Sequence, residues 1–158
     1  MKQSSVIHST FVIERSYPAP PEKVFAALSD PSKKRRWFAE GASHDVQEFA
    51  MDFRVGGSER VQYLFKKGTP IEGKLLTYQG IVQDIVPNER IVTASTMGFG
   101  DKPFSASLVT LELLPTDAGT DLICTHQGTF FEGSDGPQMR EGGWRKLFDN
   151  LAAEVARG

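Results

Sequence analysis

The chain has 158 residues, of which 39% are hydrophobic and 24% are charged, which suits a single domain over residues 1–158 and excludes two well-cored ones. Its formal net charge of −2 argues against nucleic acid as a partner, because phosphate binding depends on a concentrated positive field, and its single cysteine, Cys124, excludes an intramolecular disulfide. Because no segment approaches the roughly 18–20 apolar residues of a membrane helix and the N-terminus lacks the apolar core of a signal peptide, we expect a cytoplasmic protein without a membrane span.

The N-terminal part of the chain predicts one strand and two short helices. Residues 7–17 alternate between apolar and polar side chains, as in a half-buried strand. The proline-rich stretch 18–21 ends this strand, and Pro21 suits the first turn of a short helix. Asp30 is a good N-cap, so a second short helix is predicted over residues 31–37.

The middle of the chain, from Val46 to about Phe131, predicts an antiparallel meander of about six strands. Short alternating runs are separated there by turn-forming residues at positions 55–58, 66–70, 86–89, 98–103 and 115–119. The clearest alternation is over residues 105–114. Its predicted partner, 120–131, places on one face the side chains of Leu122, Cys124, His126 and Phe130.

A long helix is predicted at the end of the chain, over about residues 137–157. Its apolar stripe consists of Trp144, Leu147, Phe148, Leu151 and Val155. The polar residues are assigned to its solvated side, namely Arg140, Glu141, Arg145, Lys146, Asp149, Asn150 and Glu154. The whole order of elements predicts an α+β fold in which a curved sheet covers the long helix and leaves space for a small apolar ligand between them.

Several segments carry a family resemblance by their order and spacing. They are IERSYPAPPEKVF (13–25), LSDP (28–31) up to Trp37, MDFRVGG (51–57), GIVQDIVPNERI (80–91), GTDLICTH (119–126) and GGW (142–144). Over residues 10–156 the chain resembles the START-like, helix-grip superfamily, and within it the bacterial group similar to the C-terminal domain of the Hsp90 ATPase activator. The resemblance implies a helix-grip fold, with about seven strands wrapped around the C-terminal helix. It also implies a space that binds ligand in many relatives, but no particular reaction.

His126 is the most informative titratable residue, because it lies on a strand face that should point toward the long helix. It is either a hydrogen-bonded core histidine or a residue that contacts ligand or transfers a proton. Cys124 lies two residues away on the same face, about 6–7 Å apart by the rise of a strand. This separation exceeds hydrogen-bonding reach, so the two side chains are not expected to form a nucleophile pair.

Glu59 occupies a strand face on which the resembled family usually has an apolar side chain. It shares this face with Val61, Tyr63 and Phe65. If the face is the inner one, the carboxylate must pair with a cation or a bound ligand. The simpler interpretation is a strand end with the carboxylate in water.

Aromatic residues on apolar faces are the other candidates for a cavity wall, in a chain with 11 phenylalanines. The candidate ligand-binding residues are Trp37, Glu59, Tyr63, Tyr78, His126, Trp144 and Phe148. No cofactor and no metal site are expected, because His8, His44 and His126 lie far apart in the sequence. The basic run at residues 33–36 is most simply a solvated helix face.

The leading hypothesis is a binding domain, without demonstrated catalysis, that holds a small, mostly apolar molecule under its C-terminal helix. A second hypothesis is a cyclase-like or aromatase-like enzyme, with His126, Glu59, Tyr63 and Tyr78 as acid–base candidates. A third is a protein-interaction domain similar to the Hsp90 co-chaperone domain. The lack of a second domain argues against an Hsp90-type partner, and the sequence leaves formation of a homodimer open.

Overall fold

The computed structural model describes residues 4–157 of the chain. Its elements are β1 (Ile7–Tyr17), α1 (Pro21–Ser29), α2 (Pro31–Lys34), a π-helical turn (Arg35–Ala39), β2 (His44–Met51), β3 (Ser58–Phe65), β4 (Leu75–Val86), β5 (Arg90–Phe99), β6 (Lys102–Thr116), β7 (Gly119–Phe130) and α3 (Pro137–Ala156). The predicted α+β helix-grip fold, with one curved sheet and a long C-terminal helix, is confirmed. None of the helices within residues 4–157 combines the length and the apolar character needed to cross a membrane.

The strands form one antiparallel sheet in the order β1-β7-β6-β5-β4-β3-β2. β2 to β7 follow one another as the predicted meander, and β1 pairs with β7 from Ile7 opposite Phe130 to Tyr17 opposite Thr120. The register shifts between Val82 and Asp84 in β4, where the extra residue bends and twists the strand. Such bends help the sheet to curve, so its concave face can accept the helices.

The core lies between this concave face and the helices. In β1 the buried apolar side chains are Phe11, Ile13 and Tyr17, and in β7 they include Leu122 and Cys124. Both strands therefore show the alternation that the sequence predicts. This alternation brings every second side chain of β7, including His126, toward α3.

The second predicted helix departs from its predicted form after its first turn. Asp30 caps α2 as expected, since its side chain accepts a hydrogen bond from the backbone N–H of Lys33 at 3.1 Å. From Arg35 onward the helix widens into the π turn, in which the N–H of Glu40 donates to the Arg35 carbonyl at 3.0 Å. Three consecutive residues at the end of this turn are buried, namely Trp37, Phe38 and Ala39.

Two residues assigned to the solvated side of α3 are in fact buried, so that part of the prediction is wrong. Arg140 and Glu154 are each 7% exposed. Arg140 pairs with Asp135 at 2.8 Å, and Glu154 accepts a hydrogen bond from Nε of Arg36 at 2.8 Å. Arg140 precedes Trp144 by four residues and therefore lies on the same helix face. Position on the helix, rather than charge, determines which side chains face inward.

Candidate ligand-binding cavity

A cavity of about 410 Å³ lies between the concave face of the sheet and the N-terminal part of α3. Three neighbouring strands each contribute a pair of residues two positions apart, because alternate side chains of a strand share one face. These pairs are Tyr63 and Phe65 in β3, Leu76 and Tyr78 in β4, and Ser95 and Met97 in β5. The cavity falls within the size range of small-molecule sites.

The rest of the wall comes from the π turn, β6, β7 and α3. Phe38, Val109, His126 and Trp144 line it. The ring of Phe38 meets Tyr78 edge-on at 5.2 Å between centroids and lies 6.0 Å from Trp144. Trp144 in turn lies 6.4 Å from His126. The rings thus form one connected aromatic surface around the space.

The mouth of the cavity is formed by exposed residues of two segments. Residues 40–43, which follow the π turn, line one side, and Met139, Gly143 and Lys146 of α3 line the other. Met139 is 69% exposed. The cavity therefore opens to solvent beside α3 rather than through the sheet.

The tyrosines on the wall present their rings, because their hydroxyl groups are bound elsewhere. The hydroxyl of Tyr63 donates to the carbonyl oxygen of Phe38 at 3.3 Å, and that of Tyr78 donates to Glu59 Oε2 at 3.2 Å. Burial, with a further contribution from the negative charge of Glu59, raises the pKa of both tyrosines above the usual value. Both phenols are therefore neutral and contribute ring surface to the cavity.

Glu59 is buried, so the prediction of a strand end in water is wrong. Glu59 is 4% exposed, and Oε1 of its carboxylate lies 2.7 Å from Nζ of Lys34. The same ammonium group lies 4.8 Å from the centre of the Phe38 ring. Of the two interpretations of this position, pairing with a cation is the one observed. The ion pair ties α2 to β3 behind Tyr78 and lies outside the cavity wall.

His126 is 1% exposed and is enclosed by aromatic rings. It stacks on Phe11 at 4.5 Å between ring centroids and lies 6.2 Å from Phe130. Gly128 allows this crowding, because a Cβ there would come within 2.9 Å of the imidazole. Burial, assisted by the positive charge of Arg140, lowers the pKa of His126 to about 4. The ring is therefore neutral near pH 7.

The nitrogen Nδ1 of His126 is buried and has no hydrogen-bond partner among residues 4–157. The nearby guanidinium of Arg140, by contrast, has partners for two of its three nitrogens. It donates through Nε and Nη2 to the two carboxylate oxygens of Asp135, both at 2.8 Å, and through Nη2 to Ser105 Oγ at 2.8 Å. Burial raises the pKa of Asp135, but the hydrogen bonds and charge of Arg140 outweigh it, and the pKa is lowered. This end of the cavity therefore holds an ion pair with no net charge, and the buried Nδ1 of His126 without a hydrogen-bond partner.

The predicted ligand-binding residues fall into two groups. Tyr63, Tyr78, His126 and Trp144 lie on the cavity wall, whereas Trp37, Glu59 and Phe148 do not. Trp37 is turned away, and its Nε1 donates to the Ala27 carbonyl at 2.7 Å. Phe148 is fully buried beneath Trp144, at 5.5 Å between ring centroids. Contact with a ligand stays a prediction for all of them.

Sequence reasoning missed several wall residues that the same rules could have found. Phe65, Leu76 and Met97 each share a strand face with a predicted or observed wall residue two positions away. Arg140 has the helical spacing of the apolar stripe. Asp135 has no such signal, because it lies in the loop before α3 and is placed by its ion pair with Arg140.

Comparison with known proteins supports the same fold along nearly the whole chain. Mll3558 from Rhizobium loti is 47% identical, with 96% of this chain and 99% of that chain covered and a TM-score of 0.83. A putative uncharacterized protein from Rhizobium leguminosarum is 36% identical over 98% of both chains, with a TM-score of 0.87. An AHSA1-like protein from Aeromonas hydrophila, 21% identical over 94% and 93% of the two chains with a TM-score of 0.69, shares the fold.

No curated protein is significantly similar to the chain. The family model described as Activator of Hsp90 ATPase homolog 1-like protein matches residues 18–156. This match agrees with the resemblance carried by the sequence motifs, and it spans every element from α1 to α3. The chain therefore belongs to the family of Activator of Hsp90 ATPase homolog 1-like proteins.

Proposed function

We propose that the protein binds a small, mostly apolar molecule in the cavity beneath α3. The observation that carries this proposal is the space of about 410 Å³ surrounded by aromatic and aliphatic side chains. Protein interiors are otherwise close-packed, with few voids larger than a water molecule. A space of this size with its own mouth is the usual form of a small-molecule site.

The polar groups on and behind the wall favour binding over acid–base catalysis. Glu59, Tyr63 and Tyr78, three of the acid–base candidates, are held by hydrogen bonds or an ion pair within the protein. Only His126 among those candidates keeps a nitrogen without a partner in residues 4–157. One neutral imidazole can orient a ligand, whereas general acid–base chemistry usually needs further positioned groups.

The basic run at residues 33–36 gives little support to the alternative of an Hsp90-type co-chaperone domain. Lys34 turns inward to Glu59, and its two arginine neighbours form ion pairs with other carboxylates. Three of the four residues in this run therefore form ion pairs within the protein. A contact surface for an acidic partner would need these charges to be available.

Filling the cavity tests the proposal, and the helix offers a matched pair of glycines. Gly143 lines the cavity and Gly142 does not, and an added Cβ at either position would meet no atom within 4 Å. We expect Gly143→Leu to weaken ligand binding at least about tenfold, since its side chain occupies ligand space, and Gly142→Leu to leave binding nearly unchanged.

Native mass spectrometry of gently purified protein should detect a bound small molecule and its loss in the Gly143→Leu variant. A ligand at about 100 times its Kd should also stabilise the wild-type protein by roughly 2.7 kcal/mol. Equal occupancy in both leucine variants would mean that the molecule binds elsewhere. Absence of any bound molecule and of any thermal response to apolar compounds would contradict the proposal.

A further inference from the structure

The inner end of the cavity carries one polar group that the protein leaves unsatisfied. Nδ1 of His126 is buried without a hydrogen-bond partner among the described residues, and the imidazole lines the cavity. A buried polar atom without a partner destabilises the folded protein, so such atoms are rare. The ring itself borders the cavity, and because it is nearly symmetric in shape, a half-turn about its Cβ–Cγ bond exchanges its nitrogen and carbon positions. A hydrogen-bonding group of a ligand in the cavity would therefore meet this ring.

The charge at this end of the cavity is balanced. Arg140 carries a positive charge, but both oxygens of Asp135 accept hydrogen bonds from it at 2.8 Å. The imidazole of His126 is neutral near pH 7, as its burial requires. A carboxylate or an ammonium group placed here would lose its hydration without gaining a free counter-ion.

The neutral imidazole favours one kind of uncharged group. One of its nitrogens donates a hydrogen bond and the other accepts one, and the tautomer decides which. A hydroxyl group can donate or accept, so it matches either tautomer. The two tyrosines of the wall present ring faces, since the hydroxyls of Tyr63 and Tyr78 are bound to Phe38 and Glu59.

We propose that the ligand is an uncharged hydroxyaromatic molecule, whose hydroxyl group hydrogen-bonds to His126 while its ring packs against Phe38, Tyr78 and Trp144. This inference rests on the proposed function and specifies the chemical class of its ligand. The aromatic wall selects a flat apolar body, and His126 fixes which end enters first. The hydroxyl of Ser95, which also lines the cavity, is a second group that the test has to separate from His126.

Four probes of similar size and different charge test the inference by equilibrium dialysis at pH 7. They are naphthalene, 2-naphthol, 2-naphthoate and 2-(aminomethyl)naphthalene. We expect 2-naphthol to bind about five- to tenfold more tightly than naphthalene, the contribution of one net hydrogen bond. The anionic and cationic probes should bind at least about tenfold more weakly than 2-naphthol, because their charge is not matched in the cavity.

Variants then identify the group that recognises the hydroxyl. His126→Phe should abolish the preference for 2-naphthol over naphthalene and keep naphthalene binding within about threefold, since the ring surface is retained. His126→Leu serves the same purpose if the phenylalanine does not fit. Ser95→Ala should keep the preference.

The outcomes separate this inference from the function on which it rests. If none of the four probes binds, the proposed function itself loses its support. Three other outcomes would mean that the cavity binds ligands but that the assignment to an uncharged hydroxyaromatic molecule is wrong. Naphthalene could bind as tightly as 2-naphthol, a charged probe could bind most tightly, or the histidine variants could keep the preference for 2-naphthol. The comparison of probes on the wild-type protein decides the matter even if neither histidine variant folds.

Discussion

The two halves of α3 lie on the same sheet in very different surroundings. In the C-terminal half, Phe148 and Leu151 are fully buried and Val155 is 4% exposed. The carbonyl of Phe148 also accepts a hydrogen bond from the hydroxyl of Tyr17 at 3.1 Å, which ties the helix to β1. In the N-terminal half, Met139 is 69% exposed, and the helix spans an open cavity.

This difference separates the part of the helix that anchors it to the sheet from the part that lies mainly over the cavity. The C-terminal half contributes stability through its buried apolar side chains. The N-terminal half carries Gly142 and Gly143, each of which lowers helix stability by roughly 1 kcal/mol relative to alanine. These weak helix formers lie beside the cavity, and a side chain at position 143 would enter it.

Truncation in the anchoring half should have the largest effect on stability. Leu151→Ala should lower the free energy of unfolding by about 2–5 kcal/mol, because it leaves a void in a fully buried site. Met139→Ala, in the half over the cavity, should change it by less than about 0.5 kcal/mol, since the side chain is mostly exposed. Urea unfolding followed by circular dichroism measures both values. Similar losses in the two variants would remove the distinction between the halves.

The next effect is a loss of stability in mild acid, and it comes from the histidine that faces the N-terminal half. The folded pKa of His126 is about 4, below its ordinary value of 6.5. As the pH falls through this interval the unfolded chain binds a proton that the folded protein does not, so stability decreases. Stability should be fully present above about pH 6.5 and fall by at most about 3 kcal/mol by pH 4.

Urea midpoints measured across this pH range check the expectation. The His126→Phe variant should lose most of the dependence between about pH 6.5 and 4, because it removes the group that titrates. The lowered pKa of Asp135 places the loss of the Arg140 ion pair in a more acidic interval, below its ordinary value of 3.8. A wild-type midpoint that stays constant down to pH 4 would contradict the burial of a neutral His126.

The features that the sequence predicted well are those determined by local periodicity. The alternation of β1 and β7 and the apolar stripe of α3 each follow from spacing along one element, and the structure confirms them. The same spacing placed Tyr63, Tyr78 and Trp144 on inner faces. These side chains then come to surround the cavity because the fold packs α3 against the concave face of the sheet.

The features that were missed depend on contacts across the fold. Glu59 is buried because Lys34, 25 residues away, reaches it, and Glu154 because Arg36, 118 residues away, does so. No local pattern predicts such partners. The π turn is a further case, because the widened helix has no clear sequence signal. One inserted residue rotates the following side chains by roughly 100° relative to a continuous helix, so helical spacing alone does not predict where they point.

A small predicted gain in stability tests why the N-terminal half of α3 contains weak helix formers. Gly142→Ala should raise the free energy of unfolding by about 0.5–1 kcal/mol, because alanine loses less conformational entropy in a helix and its Cβ would meet no atom within 4 Å. Gly143→Ala should give a similar gain, with its methyl group at the cavity wall. Urea unfolding of the two variants without ligand measures this gain. If both are stabilised equally and only Gly143→Ala weakens ligand binding, the cost in helix stability at position 143 is explained by the cavity. A loss of stability in either variant would instead show that the helix needs a glycine there in order to pack. The proposed difference between the buried C-terminal half of α3 and the N-terminal half over the cavity would then be wrong.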